Sequence, residues 1–308
     1  MTRLFYATDL QGSEHCWNKF LMAGEIHRAD TLILGGTLLA QGVHCLVKSR
    51  GSTWSSRLGR RVLEARTRHE LEQLENHVRN RGLYPYRTTE QERLQLEKSP
   101  QLFKTVYQRL AVQTLTRWIS QARELCRQAG RRVYLTPHSI APVLPGTLEG
   151  DCNGDIVWAQ QGVFQLDPDH QLLSHACTHH TPFDCAEAAE DDTLISSLDT
   201  LVRQLDDVYN AVFSFHAPPH DSGLDHAPEP GRAASLFPIG SRAVRWVIET
   251  HQPLLSLHGM VPVPGRRFAR IGRTLCVNPG SFCSDSVLSG MLFVLDRTGI
   301  RSFQPVQG

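Results

Sequence analysis

The chain has no apolar run approaching the roughly 18 residues that a membrane-spanning helix needs. None of its eight cysteines, at 16, 45, 126, 152, 177, 185, 276 and 283, falls into a C-x-x-C pair. Scattered thiols in a chain of this size are expected to be reduced and buried rather than bridged. The charge imbalance is slight, a formal +1 from 32 Lys and Arg against 31 Asp and Glu. That gives no electrostatic argument for nucleic acid or an anionic membrane. There is no P-loop, no nucleophile elbow, no dinucleotide fingerprint and no internal repeat. The N-terminus reads as a strand ending in Asp9, not as a basic stretch followed by an apolar signal region, so a cytoplasmic location is expected.

What is present is an ordinary globular composition, 41% hydrophobic and 20% charged over 308 residues, with a high count of 15 histidines. That length holds one large domain or two small ones. Arg3 to Ala7 is a short apolar strand. Ser13 is a plausible N-cap for a helix carrying Cys16, Phe20, Ala23 and Ile26 at helical spacing. Thr31 to Leu34 is a second buried strand, followed by Gly35-Gly36. This βαβ opening predicts a parallel or mixed sheet with ligands beyond the carboxyl ends of its strands, where Asp9 and Thr37 lie.

Residues 41–66 hold one or two strands around the turn at 49–52. From 67 to 130 the chain becomes charged and helical. Thr67 to Arg81 reads as one helix, and Thr89-Glu90-Gln91-Glu92 is a capping box opening a second. Ser99-Pro100 opens a third, with Phe103, Val106, Leu110, Leu115, Trp118, Ala122 and Leu125 on one side. We expect 67–130 to be a helical insertion, acting as a structural cap on the sheet or as a lid or partner surface. Strand-like segments return at 133–135, 156–159, 163–166, 172–176, 211–215, 254–257, 274–277 and 292–295. Helices are expected at 190–206 and 240–250, and the Pro-rich stretch 217–238 reads as a long loop.

Five blocks carry the functional signal. They are Thr8-Asp9-Leu10-Gln11-Gly12, Leu34-Gly35-Gly36-Thr37, Phe215-His216-Ala217-Pro218-Pro219, Leu257-His258-Gly259-Met260-Val261-Pro262 and Val277-Asn278-Pro279-Gly280-Ser281. Their order resembles the calcineurin-like metallophosphoesterases, whose blocks read D-x-H, G-G-D, G-N-[HD], a lone His after a strand, G-H-x-H and N-P-G-S. The resemblance covers nearly the whole chain. It includes His216 to Asp225, and it is specific in the second half, where Ile271 to Ser281 follows a subgroup pattern closely. It implies a four-layer α/β/β/α sandwich of class α/β, with the helical insertion inside a single domain spanning 1–308. It also implies a centre of two metal ions about 3.5–4 Å apart that activates water on a phosphoester.

The ligands of that centre are largely replaced here. Asp9 matches the first aspartate and His216 the lone histidine, and these are the candidate catalytic residues. Gln11 stands for the D-x-H histidine, Thr37 for the bridging aspartate and Ser139 for the asparagine. Met260 and Pro262 stand for the two histidines of the last block. His258 is then the preceding, normally non-ligating histidine; an alternative register makes it a ligand at the cost of the glycine match. With five of seven ligand positions changed, no family-type metal is expected. The expected product is a degenerate member, a pseudoenzyme kept as a binding, scaffolding or regulatory subunit. Its old cleft would be bordered by Asp9, Gln11, Thr37, His138, Ser139, His216, His258 and Met260. The alternative is an active hydrolase with one divalent metal or a metal-free site. Cys177, His179 and His180, with Cys185 near, have the residue types for a new metal site. His216 with His220 and Asp221 has those for acid–base work. The expected partner is a small polar ligand or a protein, a second copy of the chain among the options.

Overall fold

The computed structural model describes residues 1–49, 51, 53–59, 61–138, 154–176, 191–229 and 232–308, with the backbone alone at 229 and 232–235. The fold is mixed α/β. In chain order it runs β1 (Thr2–Thr8), α1 (Glu14–Ile26), β2 (Thr31–Gly36), β3 (Val43–Lys48), β4 (Trp54–Leu58), β5 (Arg61–Ala65), α2 (Arg68–Asn80), β6 (Tyr84–Thr88), α3 (Glu90–Lys98), α4 (Pro100–Ala129) and β7 (Arg132–Pro137). The second half continues with β8 (Ile156–Trp158), β9 (Gln161–Asp167), β10 (His170–His175), α5 (Asp191–Val202), β11 (Val212–Phe215), β12 (His226–Glu229), β13 (Arg232–Pro238) and α6 (Arg242–His251). It closes with β14 (Leu255–Leu257), β15 (Phe268–Ile271), β16 (Thr274–Val277), β17 (Ser289–Asp296) and β18 (Gly299–Gln307).

Two six-stranded sheets dominate, in the orders β18-β17-β1-β2-β7-β8 and β15-β16-β14-β11-β10-β9. In the first, β1, β2 and β7 run parallel; in the second, β11, β14 and β16 do. Alternation along β1 explains how the first sheet is buried on both faces. Leu4 and Tyr6 join Ile33, Tyr134 and Phe293 in one cluster with Leu172, Val212, Leu255, Leu257 and Leu275 of the second sheet. Phe5 and Ala7 point the other way, into a cluster with Trp17 and Phe20 of α1 and Leu115 and Trp118 of α4. On the far side of the second sheet, Phe213 and Phe215 pack with Leu198 of α5 and Val244, Val247 and Ile248 of α6.

Local chemistry sets the helix starts. Ser13 accepts the Cys16 N–H at 3.4 Å, Thr89 accepts the Glu92 N–H at 3.2 Å, and Ser99 caps α4 with Pro100 in its first turn. Thr67 and Glu70 form a reciprocal capping box on α2. Gly130 ends α4 at φ 64°, the left-handed conformation that glycine adopts without steric cost.

Between residues 43 and 98 the structure holds more β structure than the sequence suggests. Strands β3, β4, β5 and β6 form a separate sheet in the order β5-β4-β3-β6, with Leu46 and Ala65 packed on Leu71, Leu74 and Val78 of α2. Segment 67–130 therefore contains strand β6 as well as three helices, because Tyr84–Thr88 completes this sheet beside β3. The Pro-rich stretch 217–238, read as loop, holds the hairpin β12–β13. A two-stranded ribbon has two free edges, so Pro228 and Pro238 sit in it without breaking an internal ladder. Strands β15 and β18, both at sheet edges, are also additions to the sequence reading.

Candidate functional site

The carboxyl ends of the parallel strands of both sheets meet, and buried polar contacts join them there. Thr136 Oγ1 of β7 and Ser214 Oγ of β11 lie 2.9 Å apart. Tyr6 of β1 donates its hydroxyl to the carbonyl of His258, beyond β14, at 2.9 Å. Asp9, one residue past β1, sits at the centre of this junction and is 5% exposed.

Four donors converge on the Asp9 carboxylate. Oδ1 accepts the Thr37 backbone N–H at 2.7 Å and His216 Nε2–H at 2.9 Å. Oδ2 accepts the Thr8 hydroxyl at 2.9 Å and the Met260 backbone N–H at 3.0 Å. Ser281 holds the same residue from behind, donating its hydroxyl to the Asp9 carbonyl at 2.6 Å. Burial pushes the Asp9 carboxyl up. His216, the Thr37 N–H and the Thr8 hydroxyl outweigh that and hold it down at about 2. The backbone is shaped to this end. Gly36, just before Thr37, has φ 72° and Met260 φ 66°, left-handed conformations in the two loops whose N–H groups meet the carboxylate, and Asp9 itself has φ 56°.

Glycine is required where those loops close in. A Cβ on Gly259 would lie 2.3 Å from both Asp9 Oδ2 and Thr8 Oγ1, and one on Gly36 would lie 2.3 Å from Asp9 Oδ1. Neither neighbour is the free end of a flexible chain. We expect Gly259→Ala to lower the unfolding free energy by about 1–3 kcal/mol, the cost of overpacking, measured by urea denaturation. An unchanged midpoint would show that the carboxylate is not clamped.

His216 follows β11 and packs against His138, which follows β7, with ring centroids 4.2 Å apart and ring planes tilted by 37°. Thr37, His138, His216 and the backbone N–H of Met260 thus gather around Asp9. Other expected residues lie differently. His258 is wholly buried instead of lining a cleft. Its Nδ1–H faces the carbonyls of Phe215 and Ala217 at 3.1 and 2.9 Å, and burial holds its pKa down at about 4, so the ring is a neutral core element. Gln11 turns toward the small sheet, its Oε1 accepting from Gln41 at 2.6 Å. Met260 packs with Ala227, Ile239 and Val261. Pro262 is exposed, and its carbonyl accepts the Ser281 N–H. Asp221 is exposed, its N–H held by Asp225 and its carbonyl by Arg245. Ser139, Cys177, His179, His180 and Cys185 lie outside the described residues. Among the described residues no group of three or more His, Cys, Asp or Glu side chains is placed to hold a metal ion.

Sequence reasoning missed the residues that brace this junction. Asn278 is fully buried, and its amide nitrogen reaches the carbonyls of Gly259 and Val261 at 2.9 and 3.2 Å, fixing the turn that presents the Met260 N–H. Asp225, also fully buried, accepts the N–H groups of Asp221, Ser222 and Gly240. The signal for both was in the family-like stretches themselves, where these residues are not ligands. A separate groove of about 1130 Å³ lies away from Asp9, between the open face of β3 to β5 and helix α3, with Val47, Arg57, Arg93 and Phe103 on its walls.

No protein-family model matches the chain, and no curated protein matches it. Solved structures do. One superposes with a TM-score of 0.59 at 15% identity, covering 99% of this chain and 98% of that one. The crystal structure of TT1561 of Thermus thermophilus superposes with a TM-score of 0.55 at 14% identity, again covering 99% and 98%. The E. coli phosphoesterase YfcE reaches a TM-score of 0.30 at 10% identity, covering 98% of each chain, too low to carry an argument. What the first two likenesses show is a fold shared along essentially the full length of this chain.

Proposed function

We propose that the chain is a degenerate member of the calcineurin-like metallophosphoesterase superfamily. In this reading the two sheets and their flanking helices are that family's four-layer α/β/β/α sandwich. The junction at Asp9 is the place where its binuclear centre would stand. The protein then acts as a binding, scaffolding or regulatory subunit rather than as a metal-dependent phosphoesterase.

The observation that carries the reading is the set of donors on Asp9. Two divalent cations need several carboxylate and imidazole lone pairs, with one carboxylate bridging them. Here the Asp9 oxygens face four hydrogens, from Thr8, Thr37, His216 and Met260. His216 turns its Nε2 to that carboxylate. Thr37, at the bridging position, offers a neutral hydroxyl. The residues present do not fit the family's centre. A hydrogen-bonded knot takes the place of the metals as the link between the sheets.

A second reading is favoured by the His138–His216 ring pair beside Asp9: an enzyme with a remodelled mononuclear or metal-free acid–base site in the same place. Turnover separates the two. With bis-p-nitrophenyl phosphate and added manganese, the first reading expects no hydrolysis above the uncatalysed rate. Turnover that disappears in His216→Ala would establish the second.

A further inference from the structure

The small sheet ends on one side in β5, which has a single neighbour. Its register with β4 runs from Leu58↔Arg61 to Trp54↔Ala65, and no other strand pairs with it among the described residues. The main-chain N–H and C=O groups along its outer edge therefore have no ladder to join. Alternation sorts its side chains. Leu63 and Ala65 turn to the α2 cluster. Val62 turns the other way, onto the groove of about 1130 Å³ that Val47, Arg57 and Phe103 also line, and is 57% exposed.

The charge around this edge is lopsided. Between residues 48 and 68 the sequence holds seven Lys and Arg residues and one acidic residue, Glu64, in a chain whose formal net charge is +1. Arg66 is paired with Glu64, and Arg68 with Glu72. Arg57 and Arg61, both exposed, have no carboxylate partner among the described residues. Arg57 stands opposite Val62 in the β4–β5 register, so its guanidinium overlooks the groove. Arg61 lies on the edge strand itself, on the side of Leu63.

We propose that β5 is a docking edge for an acidic, extended segment of a partner protein, which adds to the small sheet as a fifth strand. The partner's main chain takes the outer N–H and C=O groups of β5. Its side chains fall alternately to the two faces. One set lies over the groove beside Val62 and Arg57, and the other passes Arg61. Carboxylates in either set meet an unpaired guanidinium, and apolar side chains in the first cover Val62. This surface is separate from the Asp9 junction, and the proposal stands under either reading of that junction.

Charge and shape select this occupant over others. A second copy of the chain would bring the same basic edge against itself, a like-charge pairing that disfavours strand addition. A single-stranded nucleic acid needs rings on which its bases stack, and the sheet side of the groove carries no Phe, Tyr or Trp. Its α3 wall also carries Glu90 and Glu97, which repel a continuous row of phosphates. A peptide strand can place apolar side chains at that wall and acidic ones at the arginines.

The test is fluorescence anisotropy of the full chain with a labelled peptide of about twelve residues that alternates glutamate and valine. Its lysine–valine counterpart and an oligothymidylate of about the same length are measured beside it. The expected result is saturable binding of the glutamate peptide in preference to both, weakened about tenfold by Arg61→Glu and by Arg57→Glu. Adding that peptide to the wild type should also slow amide hydrogen exchange across Arg61–Ala65. Oligothymidylate binding as tightly as the peptide would overturn the proposal, as would peptide binding that both charge reversals leave unchanged. Absence of binding would overturn it too, and would make the basic edge a guard against strand pairing. The exchange measurement on the wild type decides even if a variant does not fold.

Discussion

Asp9→Ala lowers the unfolding free energy by about 3–5 kcal/mol, the range for removing one partner of a buried charged network. For a domain whose net stability is about 5–15 kcal/mol, that is a large share. The loss arises because the Thr37 and Met260 N–H groups, the Thr8 hydroxyl and the His216 ring all lose their acceptor in a buried place. The sign of the effect is diagnostic. A carboxylate that serves as one of several metal ligands repels its neighbours when metal is withheld, so its removal stabilises the metal-free protein. A carboxylate wrapped by donors does the opposite. Denaturant unfolding of the chelator-treated wild type and Asp9→Ala separates the two.

The same carboxylate gives an acid limb. Its pKa is held at about 2 against an ordinary 3.8. A depressed carboxyl pKa contributes stability that is complete above the unfolded value and is lost as pH falls through the folded one. Between about pH 5 and pH 2, wild type should therefore lose about 2 kcal/mol that Asp9→Asn, already lacking the charge, does not lose. Parallel acid limbs in the two proteins would show that Asp9 is not the group responsible.

Trp118→Ala is expected to cost about 3–5 kcal/mol, the range for deleting a buried aromatic. Trp118 is 1% exposed and stacks on Trp17 of α1 at 4.8 Å between centroids, with the rings 5° from parallel. Its indole N–H donates to Glu14 at 3.1 Å. Helix α4 is thereby tied into the cluster that covers the first sheet, together with Leu115, Ile119 and Ala122. On this packing we propose that α4 acts as a structural cap on the first sheet rather than as a lid. A mutant that melts near wild type, or in two separate steps, would show instead that α4 is a detachable element.

The sequence carried side-chain chemistry well and backbone geometry poorly. Helix starts at Ser13, Thr89 and Ser99-Pro100 were legible because each cap is a side chain reaching a nearby N–H. The gathering of Thr37, His138, His216 and Met260 at Asp9 was legible from strand-end motifs. What could not be read is that Thr37 and Met260 act through main-chain N–H groups, which any residue supplies once φ and ψ are set. The burial of His258 was hidden for a related reason, since its partners are the carbonyls of Phe215 and Ala217. Strand β6 was obscured by its shortness between two well-capped helices, and β12–β13 by prolines that mark a loop in most contexts but are tolerated in a two-stranded ribbon.

Metal content separates a hydrogen-bonded carboxylate at Asp9 from a binuclear metal centre at the same place. Protein from manganese- and iron-supplemented cultures, purified without chelator, should carry less than one transition metal ion per chain by plasma emission spectrometry. Asp9→Ala and His216→Ala should leave that content unchanged. Near-stoichiometric manganese or iron in the wild type, lost on either substitution, would contradict the account.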